Sequence, residues 1–374
     1  MITGQKFIHC ATASTAIAIG APFTLQACSS QNGEGSYEAK LRDTWRPAKA
    51  PTGDKALLRQ ELVRYATLAP SSHNTQCWKF RVDNDVITIL PDLARRTPAV
   101  DPDDHHLYVS LGCAAENLVQ AALANGLKGD VRFDTASAGG GAIKIALEPT
   151  QAVATPFYLA IPERQCTRGE YDGKPVSTEE LRLLQLAGTG AGVRVLLLTE
   201  KAALENVLAY VVEGNTAQMN DPAFVEELKG WIRFGSDEAV KTGGGLYSAT
   251  SGNPSVPRWI GSPLFGMFFK PKSENDKYAK QLRSSAGVAI FVSEVNDKAH
   301  WIEAGRCYER FALQATALGI RNAMVNQPVE VSKVRLQFAS AFGINGGRPH
   351  LVVRFGRGPV MPKSLRRDLQ TVLV

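Results

Sequence analysis

Two long amphipathic patterns, almost two hundred residues apart, constrain the fold of this chain most strongly. The first follows Asp101-Pro102 and ends near Gly126, with apolar positions at Leu107, Leu111, Ala114, Leu118 and Ala122. The second carries Trp301, Ala304, Tyr308, Phe311 and Ala315. Each pattern predicts a helix with one apolar face, and such a face must be buried against other elements. With 374 residues, 44% of them hydrophobic, the chain can build a large core around both helices.

Shorter segments with β-branched residues or capping signals accompany each long pattern. Asp54 begins a predicted helix that Pro70 stops, the Ser177-Thr178-Glu179-Glu180 sequence is a capping box, and Asp221-Pro222 opens another helix. Strands are predicted in both parts of the chain, at residues 79–82, 86–90, around 131, 143–147, 193–198, 288–292 and 351–355. The sequence therefore predicts a mixed helix and sheet protein.

Charge and motif content exclude several functional classes. The net charge of +6 is too small and too dispersed to indicate a nucleic-acid binder, although a small anionic ligand fits it. The six cysteines include no CxxC pair, and no GxSxG, HExxH or Walker lysine motif occurs. Gly188, Gly190 and Gly192 follow a helix with the wrong spacing for a dinucleotide turn.

The N-terminus is typical of an export signal. No Lys, Arg, Asp or Glu occurs from Phe7 to Gly33, and the apolar stretch is too short and diluted to span a membrane. Residues 1–27 are predicted as a signal peptide whose end resembles the lipobox of bacterial lipoproteins, with Cys28 as the acylated residue. Residues 28–50 would form a tether, and the mature protein would be exported, periplasmic and anchored by lipid. The alternative is an Ala-rich tail without a targeting role.

A polar loop between a helix and a strand is the first candidate site. It contains Pro70, Ser71, Ser72, Asn74 and Gln76 beside an indole at position 78. Hydroxyls, amides and free backbone N–H groups suit the edge of a planar heterocycle. The alternative is that the Ser and Asn side chains form local hydrogen bonds within the turn and bind no ligand.

Four arginines form the second candidate group. Arg164 and Arg168 are four residues apart after a predicted strand, and Arg354 and Arg357 flank the end of the last strand. Guanidinium groups bind phosphate bidentately, although such pairs are also common on solvated surfaces.

Two further polar groups lie elsewhere in the sequence. Asn326 and Gln327 offer a polar edge beside apolar packing, or a capping turn for the next helix. The other group contains Asp101, Asp103, Asp104, His105 and His106. Because adjacent helical residues point about 100° apart, no metal site is predicted there.

Five segments together resemble nitroreductase-like flavoproteins, and among them the Acg-type subgroup. The segments are LVRYATLAPSSHNTQCWKF (62–80), DPDDHHLYVSLGCAAENL (101–118), RQCTRGEYDGKP (164–175), NQPVE (326–330) and PHLVVRFGRG (349–358). The resemblance spans about residues 40–360.

The resemblance implies an α+β fold in which two nitroreductase-like halves, 51–160 and 161–374, are fused into a pseudo-dimer that binds FMN between them. Residues 243–271, rich in Gly, Pro, Ser and aromatic residues without a sustained period, are predicted to form a lid or binding loop over the flavin. The implied flavin contacts on the isoalloxazine and ribityl groups are Pro70, Ser71, Ser72, Asn74 and Gln76. Arg164, Arg168, Arg354 and Arg357 would bind phosphate, ribityl or the N1/O2 edge, and Asn326 with Gln327 would lie near N5 and O4.

Departures from the family pattern shape the functional expectation. Cys77 stands where relatives have Pro, and Cys166 where they have a hydroxyl residue. The second half lacks a Ser-rich loop, so one FMN per monomeric chain is expected. The leading prediction is an FMN-dependent oxidoreductase whose substrate and electron donor are unknown. The alternatives are a non-catalytic protein that stores FMN under the lid, and a lipid-anchored scaffold whose flavin site has decayed.

Overall fold

A computed structural model describes residues 30–47, 53–137 and 139–374, with side chains from Gly35 onward. The predicted signal peptide and Cys28 lie outside these residues, so both stay predictions. The described helices are α1 (Ser30–Thr44), α2 (Lys55–Thr67), α3 (His105–Ala124), α4 (Pro156–Ala160), α5 (Thr178–Ala187), α6 (Lys201–Met219), α7 (Pro222–Trp231), α8 (Ser236–Thr242), α9 (Arg258–Phe268), α10 (Pro271–Arg283), α11 (Lys298–Ala317), α12 (Gln327–Glu330), α13 (Ser332–Ala341) and α14 (Leu369–Val372).

The strands form two antiparallel sheets and one short parallel pair. They are β1 (Trp78–Asp83), β2 (Val86–Pro91), β3 (Leu127–Asp134), β4 (Ala142–Pro149), β5 (Val193–Leu198), β6 (Ile232–Arg233), β7 (Leu246–Tyr247), β8 (Gly287–Ser293), β9 (Arg321–Met324) and β10 (Arg348–Gly356). One sheet has the order β1-β2-β4-β3 and the other β5-β8-β10-β9, while β6 pairs with β7. The α+β class is therefore confirmed. The two larger sheets fall in the two predicted halves, and the fusion itself stays a prediction.

Local signals in the sequence set many of these boundaries. The Asp54 carboxylate accepts hydrogen bonds from the N–H groups of Ala56 and Leu57 and so begins α2. Ser177 and Glu180 form the complete capping box that begins α5. Asn84, with φ of 44°, makes the tight turn between β1 and β2.

The helices α3 and α11 cross at two glycines and join the two halves. A Cβ added at Gly112 would lie 2.0 Å from the Ile302 carbonyl oxygen, and one at Gly305 would lie 1.9 Å from the Val109 carbonyl oxygen. One continuous hydrophobic core contains residues of both sheets and both helices. Among the described residues, α3 alone has the length and hydropathy of a membrane span, and 83% of that stretch is buried, as in a core helix.

The last residues of the chain return to the first half. The Val374 N–H donates to the Phe80 carbonyl oxygen (2.9 Å), so the terminus lies along β1. The Tyr37 hydroxyl donates to the carbonyl oxygen of Lys363 (2.6 Å), and the Trp45 indole N–H donates to that of Ser364 (2.9 Å). The C-terminal segment thus connects α1 to the sheet of the first half.

Two predictions about irregular segments differ from the structure. Residues 30–44 of the predicted tether form α1, where Tyr37 is buried, and Trp45 just after the helix is buried too. These aromatic side chains gain tertiary contacts that a polar local sequence does not reveal. Residues 243–271, predicted as an irregular lid, contain β7 and the helix α9, which has Pro263 inside it. The segment is therefore not irregular throughout.

Candidate functional site

The polar loop after α2 is held in an unusual backbone conformation. It contains a 3₁₀ turn at Ser72–Asn74, and His73, Asn74 and Gln76 have φ of 48°, 52° and 52°, in the left-handed region. The Ser71 hydroxyl oxygen accepts from the Gln76 N–H (2.8 Å). Non-glycine residues pay a cost for such angles, so surrounding contacts must fix the loop.

The side-chain amides of Asn74 and Gln76 provide those contacts. Asn74 Nδ2 donates to the Gly245 carbonyl oxygen (3.0 Å), and Gln76 Nε2 donates to that of Gly243 (2.8 Å). Gln76 Oε1 accepts from the backbone N–H of Arg367 (2.8 Å). The loop is therefore tied both to the start of the predicted lid and to the C-terminal segment. Both amides, predicted to face a flavin, have protein partners.

Ser71 and Ser72 remain more available than the amides. Both side chains are half-buried. The Ser72 hydroxyl has no hydrogen-bond partner in the described part of the chain, while its carbonyl oxygen accepts from the Thr75 N–H (2.9 Å). Pro70 precedes them at the end of α2 and is buried. These residues stay candidates for contacts to a ligand.

Two buried guanidinium groups cap the C-terminus of α2, directly before the loop. Arg164 Nη2 donates to the Leu68 carbonyl oxygen (2.8 Å), and Arg366 donates to those of Thr67 and Leu68 (2.8 and 2.9 Å). Positive charge there complements the helix dipole. Arg164 Nε also lies 3.2 Å from the Glu309 carboxylate, and both side chains are almost fully buried.

This setting limits what Arg164 can offer a ligand. Its Nη1 has no hydrogen-bond partner among the described residues, whereas Nη2 and Nε face Leu68 and Glu309. Burial raises the pKa of Glu309 to about 7, and the nearby Arg164 opposes that shift. The predicted phosphate contact of Arg164 stays a prediction, and its structural role is established by these contacts.

The strand residue Arg354 fixes the segment that follows Arg164. Its Nη2 donates to the carbonyl oxygens of Thr167 (3.2 Å) and Gly169 (2.7 Å), and its guanidinium carbon lies 4.2 Å from the centre of the Tyr171 ring. The side chain is fully buried, and Nε has no partner within the described chain. Burial lowers the pKa of Arg354. One nitrogen thus remains for a ligand.

Arg168 differs from Arg164, Arg354 and Arg357 because its guanidinium has no partner among the described residues. It is half-buried, and its guanidinium makes no hydrogen bond or ion pair with any described residue. Its charge acts on His73 in the first half and on Tyr278 and Arg354 in the second. Burial, with smaller effects from Arg168 and His106, lowers the pKa of His73 to about 4. Arg168 therefore lies where groups of the two halves meet.

Asn326 and Gln327 begin α12 beside this cationic region. Asn326 Oδ1 accepts from the Val352 N–H (2.9 Å), so this amide secures the turn, as the capping alternative predicts. Gln327 is buried, and its Oε1 has no hydrogen-bond partner in the described structure. Burial raises the pKa of Tyr278 to about 12, while Arg168 and a hydrogen bond with Gln327 oppose that shift. Gln327 is thus connected through Tyr278 to Arg168.

Arg357 lies in a different setting. It forms an ion pair with Glu180 of the α5 capping box (2.6 Å), and 40% of its side chain is exposed. The structure pairs it with that carboxylate rather than with the loop, Arg168 or Gln327. Its predicted phosphate contact stays a prediction.

The acidic and histidine group at the start of α3 converges, unlike the helical-wheel expectation. One ligand atom each of Asp101, His105 and His106 lies within 4.8 Å of the others, and all three residues are buried. The convergence arises because Asp101 lies before the helix and folds back onto the N–H groups of His106 and Leu107. Helical spacing predicted that these side chains diverge, and the structure shows that they converge.

Several site residues escaped sequence reasoning. Tyr278 on α10 and Arg366 in the C-terminal segment carry no local pattern that connects them with the loop. His73 lies inside the quoted loop, and its left-handed backbone is the feature that distinguishes it. The four described cysteines, Cys77, Cys113, Cys166 and Cys307, are free thiols.

Fold and site together define an α+β protein whose two sheet-containing parts share one core, with Arg168 close to His73 of the first part and Tyr278 of the second. No protein-family profile matches the chain. Two proteins of Mycobacterium tuberculosis, strains CDC 1551 / Oshkosh and ATCC 25618 / H37Rv, are each named "Putative NAD(P)H nitroreductase". Both are 28% identical to this chain over 324 residues, covering 83% of this chain and 90% of the relative. The nitroreductase-like resemblance is therefore confirmed.

Solved structures give a weaker likeness. A nitroreductase with bound FMN from Bacteroides fragilis has a TM-score of 0.36 and 15% identity, covering 57% of this chain and 96% of that chain. The FMN-dependent nitroreductase NfnB from Mycobacterium smegmatis, in complex with NADPH, has a TM-score of 0.37 and 14% identity, covering 58% and 96%. The Acg-type subgroup stays a prediction.

Proposed function

We propose that this chain is an FMN-dependent, nitroreductase-like oxidoreductase that passes a hydride between flavin N5 and a small-molecule substrate. The observation that carries the proposal is the unpaired guanidinium of Arg168 at the junction of the two halves. An unpaired cation in a half-buried position is costly, and a bound anion offsets that cost. FMN offers a phosphate, and a ring whose N1/O2 edge becomes negative on reduction.

Buried polar atoms around Arg168 fit the same cofactor. His73 Nδ1, Gln327 Oε1 and Arg354 Nε lack partners within the described residues. They supply both donors and acceptors, which the edge of an isoalloxazine ring requires. Because burial keeps the pKa of His73 at about 4, its imidazole is neutral at pH 7 and retains one donor and one acceptor.

Each residue then has a defined task. The Arg168 guanidinium would pair with negative charge on FMN. The hydroxyl groups of Ser71 and Ser72 and the side-chain amide of Gln327 would offer hydrogen bonds to the same cofactor. Bound FMN supplies the hydride chemistry at N5. The protein would contribute position and electrostatics around the bound ring rather than a general base.

A second candidate function is non-catalytic storage of FMN. It is favoured by the bonds from Asn74 and Gln76 to Gly245 and Gly243, which fasten the start of the predicted lid to the loop. A lid held shut would retain flavin and exclude a substrate. The mature chain, as an exported protein, would also meet little NAD(P)H.

Anaerobic visible spectroscopy of the purified chain separates these functions. An oxidoreductase shows a flavin band that NADH, NADPH or another donor bleaches and an acceptor restores. A storage protein shows the band without bleaching, and a decayed site is colourless and binds no added FMN.

Substitution of Arg168 tests the cofactor assignment. Arg168→Ala should weaken FMN binding by about tenfold to a hundredfold, the loss expected for one charge-assisted hydrogen bond. The matched control is Arg182→Ala, because Arg182 is exposed and paired only with Glu179 of its own helix. Equal FMN affinity in the Arg168 variant and the parent would contradict the assignment.

We also propose one FMN per monomeric, Acg-type pseudo-dimer, exported to the periplasm and anchored through Cys28. An FMN-to-protein ratio near two in fully loaded protein would refute the single site. Mass spectrometry of the membrane fraction tests Cys28 acylation, with Cys28→Ala as the control.

A further inference from the structure

A cavity of about 250 Å³ lies between the start of α3 and the helices α12 and α13. Asp101, His105, His106 and Glu330 line it. These residues combine imidazole nitrogens with carboxylate oxygens, and they come from both halves of the chain. None of them is needed for the flavin contacts proposed above.

The hydrogen-bond network assigns the tautomer of His105. The Ser293 hydroxyl donates to the Val295 carbonyl oxygen (2.6 Å) and therefore accepts from His350 Nε2 (2.5 Å). His350 Nδ1 is then unprotonated and accepts from His105 Nε2 (2.7 Å). The neutral His105 ring consequently keeps a free lone pair on Nδ1.

His106 follows the same pattern. Its Nε2 lies 3.1 Å from the His350 carbonyl oxygen, which can only accept, so Nε2 carries the proton. The other ring nitrogen, Nδ1, lies 4.0 Å from Glu330 Oε1. An imidazole that donates one N–H to a carbonyl or another ring and has no hydrogen bond at its other nitrogen has the arrangement typical of a metal ligand.

The two carboxylates are also held in place and lack a cation. Asp101 accepts from the N–H groups of His106 (3.0 Å) and Leu107 (2.9 Å), and Glu330 Oε2 accepts from Gln218 Nε2 (2.7 Å). Neither forms an ion pair with Lys or Arg among the described residues. Burial raises the pKa of both carboxyl groups.

The remaining charges at the cavity leave it negative. Arg348 pairs with Asp103 (3.0 Å), and Arg335 donates to the Val329 carbonyl oxygen (2.9 Å). With Asp101 and Glu330 ionised, Arg335 offsets one of their two charges. Two nitrogen and two oxygen donors suit borderline divalent ions of the first transition row.

We propose that Asp101, His105, His106 and Glu330 bind one divalent transition-metal ion such as Zn²⁺, which joins α3 of the first half to α12 of the second. The ligand atoms of Asp101, His105 and His106 all lie within 4.8 Å of one another, and the donors of a tetrahedral zinc site are roughly 3.3 Å apart. Binding would therefore draw these donors together by at most about 1.5 Å.

The test measures metal in the full-length chain, with and without FMN. The protein is treated with chelator, dialysed, loaded with ZnCl₂ and gel-filtered, and zinc is counted by atomic emission. Co²⁺ is used in parallel because its visible absorption reports the ligand geometry. We expect one Zn²⁺ per chain and a rise in melting temperature on loading.

Two variants and one control decide the outcome. Glu330→Gln keeps the shape of the side chain, and His106→Gln removes one nitrogen; each should weaken Zn²⁺ affinity by at least about tenfold. Asp103→Asn, in the same cavity but paired with Arg348, should bind like the parent. A parent chain that binds no Zn²⁺, or equal affinity in the parent and both ligand variants, would overturn the proposal. Because the readout is metal content, a failure of flavin binding leaves this result interpretable.

Discussion

The crossing of α3 and α11 predicts a large effect from a single added methyl group. In Gly305→Ala the new Cβ would lie 1.9 Å from the Val109 carbonyl oxygen, whereas real Cβ atoms essentially never approach closer than 3.0 Å. The two helices must therefore separate by roughly 1 Å. Overpacking of this kind costs about 1–3 kcal/mol, and the better helix propensity of alanine returns about 1 kcal/mol. We expect a net loss of up to about 2 kcal/mol in the free energy of unfolding.

Urea denaturation followed by tryptophan fluorescence measures this loss. The matched control is Gly266→Ala in α9, where an added Cβ meets no heavy atom within 4 Å. That variant should be neutral or more stable by up to about 1 kcal/mol. If both variants move the urea midpoint in the same direction, the crossing does not depend on close backbone contact.

A double variant examines the same geometry. Gly112→Ala alone places its Cβ 2.0 Å from the Ile302 carbonyl oxygen. Once the first substitution has separated α3 from α11, part of the space that the second Cβ needs between the helices already exists. The loss in Gly112→Ala/Gly305→Ala should therefore be smaller than the sum of the single losses. A strictly additive loss would show that the two contacts relax independently.

Three other predictions follow from charged groups. Arg164→Met leaves the fully buried Glu309 without its ion-pair partner and should lower the free energy of unfolding by about 3–5 kcal/mol, measured by urea denaturation; a loss below about 1 kcal/mol would contradict that pairing. The pKa of His73 falls from 6.5 to about 4 on folding, so its contribution to stability is present above pH 6.5 and is lost as the pH falls toward 4, by up to about 3 kcal/mol. His73→Asn should flatten that part of the pH profile, and parallel profiles would refute the burial argument. Arg357→Ala removes an exposed ion pair with Glu180 and should cost less than about 1 kcal/mol, with a smaller loss of FMN affinity than Arg168→Ala.

Sequence reasoning succeeded where the deciding interactions are local. The Asp54 cap, the Ser177–Glu180 capping box and the turn at Asn84 each depend on residues within a few positions. The apolar faces of α3 and α11 are likewise visible as a period, although the glycine crossing that joins them is not.

It failed where a side chain finds a partner far along the chain. Asn74 Nδ2 donates to the carbonyl oxygens of Gly245 and Leu365, which lie 171 and 291 positions further along the chain. No local pattern could therefore show that this amide already has partners. Helix α1 is polar in sequence, and the buried Tyr37 and the adjacent Trp45 reach residues 363 and 364. The convergence of Asp101 with the two histidines depends on a chain reversal before the helix, which helical spacing does not describe.

The return of the C-terminal segment has a consequence for biosynthesis. Residues 365–367 bond to Asn74, Gln76 and the end of α2, and Val374 lies along β1. The loop is translated early, but these supporting contacts come from residues almost three hundred positions later. A nascent chain therefore lacks these contacts until residue 367 has been made, and a product that stops earlier lacks the residues that hold the loop in its left-handed conformation. The conformation of the loop thus reports whether translation has passed residue 367.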